Sequence, residues 1–270
     1  MSRKASRPAA RPIGLFDSGI GGLTVVRALL KLLPRESLVY LGDTARVPYG
    51  NKSRETVIRF STENTLFLLR HRVKLVIVAC HTASSFALPL LERQFKQPLL
   101  GVVAPGVAAA LAATRSGRVG VIGTAATVGS GAYVRGIRRK RPGIKVFQAA
   151  CPLFVPLVEE GRLNGPVTER VAREYLAPLK RARVDTLILG CTHYPLLKGV
   201  IARVMGRGVR LIDSAEAAAR QAQALLEGEG LLVAGSGRPR HRFFATDAPD
   251  HFKRFSARFL GRPARQVSRA

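Results

Sequence analysis

The sequence is poor in cysteine and in aromatic side chains, and these shortages narrow the classes of protein to which it can belong. Of its 270 residues, three are cysteine, none is tryptophan and 6% are aromatic. A small, odd number of cysteines fits a reducing compartment better than a disulfide framework. Because aromatic residues are few, we expect a core packed mainly with aliphatic side chains.

Long apolar runs are missing too. No stretch reaches the roughly 18 apolar residues that a membrane-spanning helix needs. The basic start, MSRKASRPAARP, leads into no apolar signal core with a cleavage site. We therefore expect a cytoplasmic protein without membrane contact, and we interpret residues 1–11 as a disordered basic tail.

Acidic residues are scarce as well. There are 17 Asp and Glu residues against 44 Lys and Arg residues, which gives a formal net charge of +27. A surface of this sign can bind nucleic acid or acidic lipid and can attract anionic substrates. No known nucleic-acid-binding motif accompanies the charge. We interpret it as a solvated basic surface and keep nucleic-acid binding as an alternative.

Short apolar stretches alternate with amphipathic ones along most of the chain. This alternation predicts an α/β fold with parallel, doubly wound sheets, in which a continuous apolar strand is buried on both faces. The predicted strands are RPIGLF, SLVYLG, KLVIVA, PLLGVV, RVGVIG, IKVFQA, TLILG, VRLID and HRFFATD. The predicted helices are LTVVRALLKLL, residues 53–71, SFALPLLERQF, residues 167–180 and residues 215–226.

Polar clusters follow several of these strands, and they occur in pairs. KLVIVA runs into Cys-His-Thr at 80–82, and TLILG runs into Cys-Thr-His at 191–193. RPIGLF similarly ends at Asp-Ser-Gly at 17–19, and RVGVIG ends at Thr124. Ligands of open α/β sheets bind beyond the carboxyl ends of the strands. We therefore expect two similar lobes that face each other across a ligand site.

The two strand-end cysteines, Cys80 and Cys191, are candidates for acid–base chemistry. A thiol at the start of a helix can be partly exposed and has an ordinary pKa of about 8.5, close enough to neutrality to serve as a base. A single cysteine is more often a small buried hydrophobic residue, and we interpret Cys151 in that way. The spacing does not fit paired zinc ligands. A nucleophilic cysteine with His193 as its base is an alternative, but it leaves Cys80 unexplained.

Two glycine-rich loops are further candidates. DSGIGG, residues 17–22, follows a strand and opens a helix, so its backbone N–H groups can bind a carboxylate. The alternative for Asp17 and Ser18 is helix capping and turn formation. GDTARVPYG, residues 42–50, is either an ordinary turn or a loop that presents Tyr49 and Gly50 to a ligand.

Five segments in this order, DSGIGGLTV, GDTARVPYG, VACHTAS, GTAATV and LGCTHYPLL, resemble the motifs of bacterial glutamate racemases within the aspartate/glutamate racemase superfamily. The resemblance implies two α/β lobes with the active site in the cleft between them. The first lobe would comprise residues 12–103 and 211–260, and the second residues 104–210, followed by a basic tail at 261–270. The implied activity is interconversion of L- and D-glutamate, which supplies D-glutamate for peptidoglycan synthesis, with no cofactor and no metal.

The resemblance also assigns roles to residues. Cys80 as a thiolate would remove the α-proton of D-glutamate and Cys191 that of L-glutamate, while the other thiol returns a proton. Asp17 would assist Cys80, and His193 would assist Cys191. Asp43 and Glu159 match acidic residues near the site. Substrate contacts are implied for Asp17, Ser18, Tyr49, Gly50, His81, Thr82, Thr192 and His193.

His81 departs from the family pattern, which has asparagine after the first cysteine. A protonated imidazole there would lower the pKa of Cys80 and hold a substrate carboxylate more tightly. We therefore expect His81 to shift the acidic limb of the pH–rate profile.

Several other functions and partners stay open at this level. The nearest alternative is a racemase of aspartate or of another acidic amino acid. A more distant one is a basic nucleic-acid-binding protein on a racemase scaffold. Some family members are reported to act on DNA gyrase, although no motif here supports such a contact. A homodimer is compatible with the sequence, which does not fix the oligomeric state.

Overall fold

The structure, a computed structural model, describes residues 8–234 and 237–270. Within these residues the strands form two parallel sheets, one in each lobe. The strands are β1 (Ile13–Asp17), β2 (Leu38–Gly42), β3 (Leu75–Val78), β4 (Leu99–Gly101), β5 (Arg118–Gly123), β6 (Lys145–Ala150), β7 (Thr186–Gly190), β8 (Arg210–Asp213), β9 (His241–Ala245) and β10 (Val267–Arg269).

Helices connect the strands. They are α1 (Leu23–Leu32), α2 (Arg54–Arg70), α3 (His81–Phe86), α4 (Leu88–Gln94), α5 (Val103–Ala113), α6 (Ala125–Gly129), α7 (Ala132–Lys140), α8 (Phe154–Glu159), α9 (Pro166–Arg181), α10 (Lys198–Met205), α11 (Ser214–Gly228) and α12 (Pro249–Leu260), with 3-10 turns at Pro8–Ala10, Tyr49–Asn51 and Tyr194–Leu197. None of the helices in the described ranges is long and apolar enough to cross a membrane.

The first sheet has the strand order β10-β9-β2-β1-β3-β4, and the second has the order β6-β5-β7-β8. All neighbouring strands are parallel. This confirms the predicted α/β class with two parallel-sheet lobes. The two central strands, β1 and β7, are buried along their whole length.

Successive side chains of a strand point to opposite faces of the sheet. Because both faces are covered by helices, the strand needs a continuous apolar run. In β3, Leu75 and Ile77 belong to a core that includes residues of α1, α11 and α12. Val76 and Val78 point the other way, into a core formed with α2, α3 and α4. Each side chain of the strand thus has a packed helical layer to enter, as expected for a doubly wound sheet. The first of these cores continues into the second lobe, where it includes Leu187.

One predicted helix is interrupted. The segment SFALPLLERQF was expected to form a single helix, whereas the structure has α3 ending before Ala87 and α4 starting at Leu88. Pro89 lies in the first turn of α4. Because proline has no backbone N–H, it is tolerated in the first turn of a helix but breaks the hydrogen-bond ladder of a helix interior.

The lobe boundaries differ from the expected ones at two strands. Residues 211–213 of β8 were expected in the first lobe, but β8 pairs with β7 in the second sheet. Residues 261–270 were expected to form a tail, yet Val267–Arg269 forms β10 and pairs with β9. Of the predicted N-terminal tail, residues 1–7 lie outside the described residues, and Pro8–Ala10 forms a 3-10 turn.

A buried ion pair stabilises the first lobe near the N-terminal end of β3. Lys74, just before β3, lies with its Nζ 2.6 Å from Glu36 Oε2, and both side chains are at most 2% exposed. The same ammonium donates to the carbonyl oxygens of Ala9 and Leu231, each at 2.7 Å. Glu36 Oε1 accepts from the backbone N–H of Val233 at 3.0 Å. One lysine therefore joins the start of the chain, the sheet and the segment after α11.

Lys74→Met should destabilise the protein strongly, because it leaves the Glu36 carboxylate buried without its cation. We expect the free energy of unfolding in urea to fall by about 3–5 kcal/mol. The control is Glu169→Gln, which removes the exposed pair between Arg173 and Glu169. That change should cost less than about 1 kcal/mol. Equal losses in the two variants would contradict the central role of the buried pair.

Candidate active site

Four strand ends meet where the two sheets face each other. β1 ends at Asp17, Cys80 lies two residues after β3, Thr124 directly follows β5, and Cys191 directly follows β7. The pocket enclosed there has a volume of about 30 Å³. Of the predicted site residues, its wall contains Ser18, Tyr49, Gly50, Cys80, His81, Thr82, Cys191, Thr192 and His193. Residues from both lobes thus line one small pocket, as the paired strand ends predict.

Cys80 occupies the N-cap position of α3 and is 6% exposed. Its Sγ lies 3.8 Å from Ser18 Oγ. Burial, together with the nearby Asp17 carboxyl, raises the pKa of the Cys80 thiol to about 12, although the Ala83 N–H and Ser18 oppose the shift. At neutral pH this cysteine is therefore a thiol that can donate a proton.

Asp17 lies behind the pocket wall and is fully buried. Its Oδ2 accepts from the Gly19 N–H at 3.2 Å, while no described residue donates to its Oδ1. Burial raises the pKa of Asp17, and the charge of His193 and the loop N–H groups oppose this. Burial and these hydrogen bonds thus act in opposite directions on the pKa of Asp17, and its Oδ1 stays available to a further donor.

Cys191 has a different environment, because its sulfur lies close to His193, which in turn contacts Glu159. His193 Nδ1 lies 3.9 Å from Cys191 Sγ, and His193 Nε2 lies 3.0 Å from Glu159 Oε1. Burial alone would lower the pKa of His193, but hydrogen bonds to Cys191 and Glu159 raise it to about 10. At neutral pH an imidazolium therefore faces the sulfur of Cys191.

Glu159 is itself fixed by the first lobe. Arg258, on α12, donates from Nη1 to the carbonyl oxygens of Val158 at 2.9 Å and of Glu159 at 2.6 Å. The ring of Phe259 meets the His193 ring edge to face, with centroids 5.2 Å apart. Sequence reasoning did not identify Arg258, because its role depends on α12 returning from the distant C-terminal part of the chain.

Tyr49 uses its hydroxyl within the protein. It donates to Asp43 Oδ2 through a short hydrogen bond and accepts from Asn64 Nδ2 at 3.1 Å. Arg46 binds the same carboxylate, with Nε 2.8 Å from Asp43 Oδ2. The hydroxyl therefore orders the 42–50 loop, while Tyr49 also lines the pocket. Asn64, buried on α2, was missed because a lone polar residue in a helix gives no signal of its partners.

His81 is buried, and its neighbours do not stabilise a positive charge on its ring. Neither ring nitrogen has a hydrogen-bond partner among the described residues, and the Tyr133 ring stacks over it with centroids 6.4 Å apart. Burial lowers the pKa of His81 to about 3, and the carboxylate of Asp213 opposes this only in part. The imidazole is therefore neutral at working pH. The protonated His81 on which the expected shift of the acidic limb depends is therefore not formed near neutral pH, because the cost of burying the cation prevails.

The two lobes meet along a line of close contact, which we call the seam. Threonine hydroxyls and glycines lie along it. Thr82 Oγ1 lies 3.0 Å from both Thr124 Oγ1 and Thr127 Oγ1, across the cleft. A β-carbon at Gly21 would lie only 2.5 Å from His193 Nδ1, and one at Gly50 only 2.7 Å from Thr124 Cβ. Glycine is needed at these two positions because a side chain there would hold the lobes apart.

The third cysteine lies elsewhere. Cys151 is fully buried in the core of the second lobe and does not line the pocket. Its carbonyl oxygen accepts from the Tyr194 hydroxyl at 2.9 Å. In residues 8–234 and 237–270, no group of three His, Cys, Asp or Glu side chains is arranged to hold a metal ion.

Comparison with known proteins agrees with this geometry. The sequence pattern of the Asp/Glu/Hydantoin racemase family matches residues 13–222. The chain is 52% identical to a glutamate racemase of Geobacter metallireducens over 251 residues, which is 93% of each protein. It is 49% identical to a glutamate racemase of Syntrophus aciditrophicus over 97% of each.

A solved structure of a glutamate racemase has a similar fold. A glutamate racemase of Francisella tularensis in complex with D-glutamate superposes with a TM-score of 0.91 and 40% identity, over 97% of this chain and 98% of that one. A family pattern that covers most of the chain, together with relatives near half identity, is decisive. The chain belongs to the Asp/Glu/Hydantoin racemase family.

Proposed function

We propose that this protein interconverts L- and D-glutamate, with Cys80 and Cys191 as the two acid–base groups. The observation that carries the proposal is that two thiols, one from each lobe, line the same small pocket. It is also supported by the glutamate racemases near half identity and by the similar fold of a protein solved with D-glutamate. We further propose that the enzyme works in the cytoplasm and supplies D-glutamate for peptidoglycan synthesis.

Inversion of a stereocentre by proton transfer needs a base on one face of the α-carbon and an acid on the other. Two cysteines on opposing lobes meet this requirement, and each can serve as acid or base. The two reaction directions differ mainly in which sulfur starts without its proton. A matched pair of thiols therefore suits a reaction that must run both ways.

The two cysteines differ in their neighbours, and this difference suits them to opposite roles in each direction. The imidazolium of His193 stabilises negative charge on Cys191, while burial keeps Cys80 protonated. Cys191 thiolate then takes the α-proton of L-glutamate as the Cys80 thiol delivers its own proton to the other face. The products are D-glutamate, a Cys80 thiolate and a Cys191 thiol, and the reverse reaction restores the start.

The negative charge that develops on the substrate is stabilised by fixed hydrogen-bond donors. The hydroxyls of Thr82 and Thr192 and the N–H groups of the 17–22 loop line or flank the pocket and can bind the α-carboxylate. Burial strengthens these hydrogen bonds, since the local dielectric is low. At about 30 Å³ the pocket has room for roughly two waters. The lobes must therefore open to admit glutamate and close before proton transfer.

Removing either active thiol should abolish racemisation. We expect Cys80→Ala and Cys191→Ala each to lose about 10³-fold or more in kcat, the range for loss of a positioned acid or base. The measurement is circular dichroism of each glutamate enantiomer, with solvent deuterium exchange at the α-carbon. Cys151→Ala is the control and should keep near-normal activity, because Cys151 is outside the pocket. Normal racemisation by either of the first two variants would refute the two-base proposal.

The substrate is tested separately, with purified enzyme and coupled assays for glutamate and for aspartate. The proposal requires that both glutamate enantiomers are converted with a higher kcat/KM than the aspartate enantiomers. No conversion of either glutamate enantiomer would refute it.

Glu159→Gln should change the pH profile of the reaction. Because the Glu159 carboxylate helps to raise the pKa of His193 to about 10, its loss lowers that pKa. The limb that requires protonated His193 then moves to lower pH, and we expect the basic limb of kcat to shift by about one pH unit or more. Glu160→Gln changes the adjacent exposed residue and should leave the profile unchanged. Identical profiles in the two variants would exclude this role of Glu159.

His81→Asn should make the protein more resistant to acid. Because burial lowers the pKa of His81 from 6.5 to about 3, the unfolded chain binds a proton at pH 4–6 that the folded protein does not. Wild-type stability therefore falls with pH below about 6.5, by up to about 1.4 kcal/mol per pH unit from this residue. The variant should lose this part of the slope in urea unfolding at pH 4.5 and pH 7. An unchanged slope would show that His81 titrates normally.

A further inference from the structure

Two neighbouring residues of α12, in the first lobe, contact the second lobe beside His193. α12 lies between β9 and β10 of the first sheet, whereas α8 lies between β6 and β7 of the second. Arg258 donates from Nη1 to the last two carbonyl oxygens of α8, those of Val158 at 2.9 Å and of Glu159 at 2.6 Å. The Phe259 ring meets the His193 ring edge to face. The end of α8 is thus held by the opposite lobe.

The end of α8 has the shape that this guanidinium requires. The Gly161 N–H donates to the Val158 carbonyl oxygen at 3.0 Å. The Arg162 N–H donates to the Leu157 carbonyl oxygen at 2.7 Å, and these two hydrogen bonds form the Schellman motif of a helix end. Gly161 has a φ of 75°, a conformation that favours glycine. A β-carbon there would lie 2.7 Å from Arg258 Nη2. Glycine therefore permits both the turn and the approach of the arginine.

The last residue of α8, Glu159, carries the carboxylate that contacts His193. Its Oε1 lies 3.0 Å from His193 Nε2, and its side chain is 41% exposed. A side chain with this exposure has other rotamers open to it in water, so its contact with the ring depends on where its backbone is placed. Arg258 binds the carbonyl oxygen of the same residue. The backbone that Arg258 fixes is therefore the backbone that carries the carboxylate.

We propose that Arg258 is a positioning residue that couples closure of the lobes to the formation of a cation at His193. The inference rests on the proposed racemisation, in which the lobes open to admit glutamate and close before proton transfer. When the lobes part, α12 withdraws from α8 and Arg258 releases the two carbonyl oxygens. The Glu159 carboxylate is then free to turn into water. Closure restores the contact, so the imidazolium that stabilises a Cys191 thiolate forms in the closed state.

The charges around His193 allow this coupling to be distinguished from a direct effect of the arginine. Burial lowers the pKa of His193, and Cys191 and Glu159 raise it to about 10. The Asp17 carboxyl, at the end of β1, also interacts with its charge. From α12 the added charge is the cation of Arg258, and a nearby cation by itself disfavours an imidazolium. Loss of Arg258 should therefore raise the pKa of His193 if the arginine acts only by its charge, and lower it if the arginine places Glu159.

The test is the pKa of His193 in the full chain, followed by NMR of isotope-labelled histidine, with the signal assigned by its loss in His193→Gln. Arg258→Met should lower this pKa from about 10 to about 9 or below, because the Glu159 carboxylate is no longer held at the ring. The control, Arg254→Met, removes the same charge from an exposed position one turn earlier on α12 and should leave the pKa unchanged. An unchanged or raised pKa in Arg258→Met would overturn the proposal.

Two further variants show whether Arg258 acts through Glu159. Glu159→Gln/Arg258→Met should not have a lower His193 pKa than Glu159→Gln alone, because the arginine has no carboxylate left to place. A further fall in the double variant would overturn the proposal. If Arg258→Met does not fold, Gly161→Ala provides the test, since its methyl group displaces the guanidinium without removing it. The pKa of His193 should again fall, and an unchanged value would contradict the coupling.

Kinetics give an independent readout. Because Arg258 does not line the pocket, Arg258→Met should lower kcat about tenfold for both glutamate enantiomers and change KM less than about threefold. The basic limb of kcat should move to lower pH, as in Glu159→Gln. A raised KM with an unchanged kcat and pH profile would overturn the proposal. If the wild-type protein racemises no glutamate, the proposed function fails, whereas the NMR titration still tests the link between Arg258 and His193.

Discussion

Desolvation at the seam between the two lobes is the largest influence on the pKa values of Asp17, Cys80 and His81. Asp17, Cys80 and His81 are all buried there, and in each case burial favours the neutral form. His193 is the exception, since hydrogen bonds to Cys191 and Glu159 outweigh the cost of burying its charge. The balance between burial and one ion pair thus produces an unequal pair of cysteines from two similar strand ends.

The seam exists because two parallel sheets direct their carboxyl ends toward each other. Parallel strands place the residues that follow them at a common edge, so Asp17 and Cys80 meet on one side and Thr124 and Cys191 on the other. The gap then closes on threonine hydroxyls and on Gly21 and Gly50, where a β-carbon would not fit. Close approach of the backbones leaves Cys80 6% and Cys191 7% exposed, and this burial raises the pKa of Cys80.

Much of this arrangement is predictable from the sequence, because its signals are local. Strand boundaries, the paired clusters at 80–82 and 191–193, and the loops at 17–22 and 42–50 all follow from short apolar runs and the residues after them. The side of the sheet on which β8 lies is not local. Its sequence, RLID, suits an edge strand of either sheet, and the choice depends on how α11 packs between α1 and α5. β10 was missed for a similar reason, since a three-residue strand rich in polar groups gains its order from β9.

Prediction of the site from the sequence is limited in the same way. Cys80, Cys191 and His193 are visible as residue types at strand ends, but the hydrogen bond of Arg258 to the Glu159 carbonyl joins residues 99 positions apart in the chain. His81 shows why a residue type alone is insufficient. The same imidazole would be a cation in water and is neutral here, because its neighbours are the Tyr133 ring and backbone rather than a close carboxylate. Charge state is a property of the folded surroundings, which the sequence specifies only through the whole fold.

The excess arginines and lysines lie in a different part of the molecule from the ionisable groups of the pocket. Within the seam the ionisable groups are few and balanced, with Glu159 and Asp17 near His193. The net charge of +27 is therefore carried mainly by the surface. Such a field attracts a dicarboxylate toward the protein from every direction, but it decays within about 10 Å at ordinary salt. It can raise the encounter rate with an anionic substrate, yet the choice of substrate must come from the fixed donors of the closed pocket, where water and salt do not screen them.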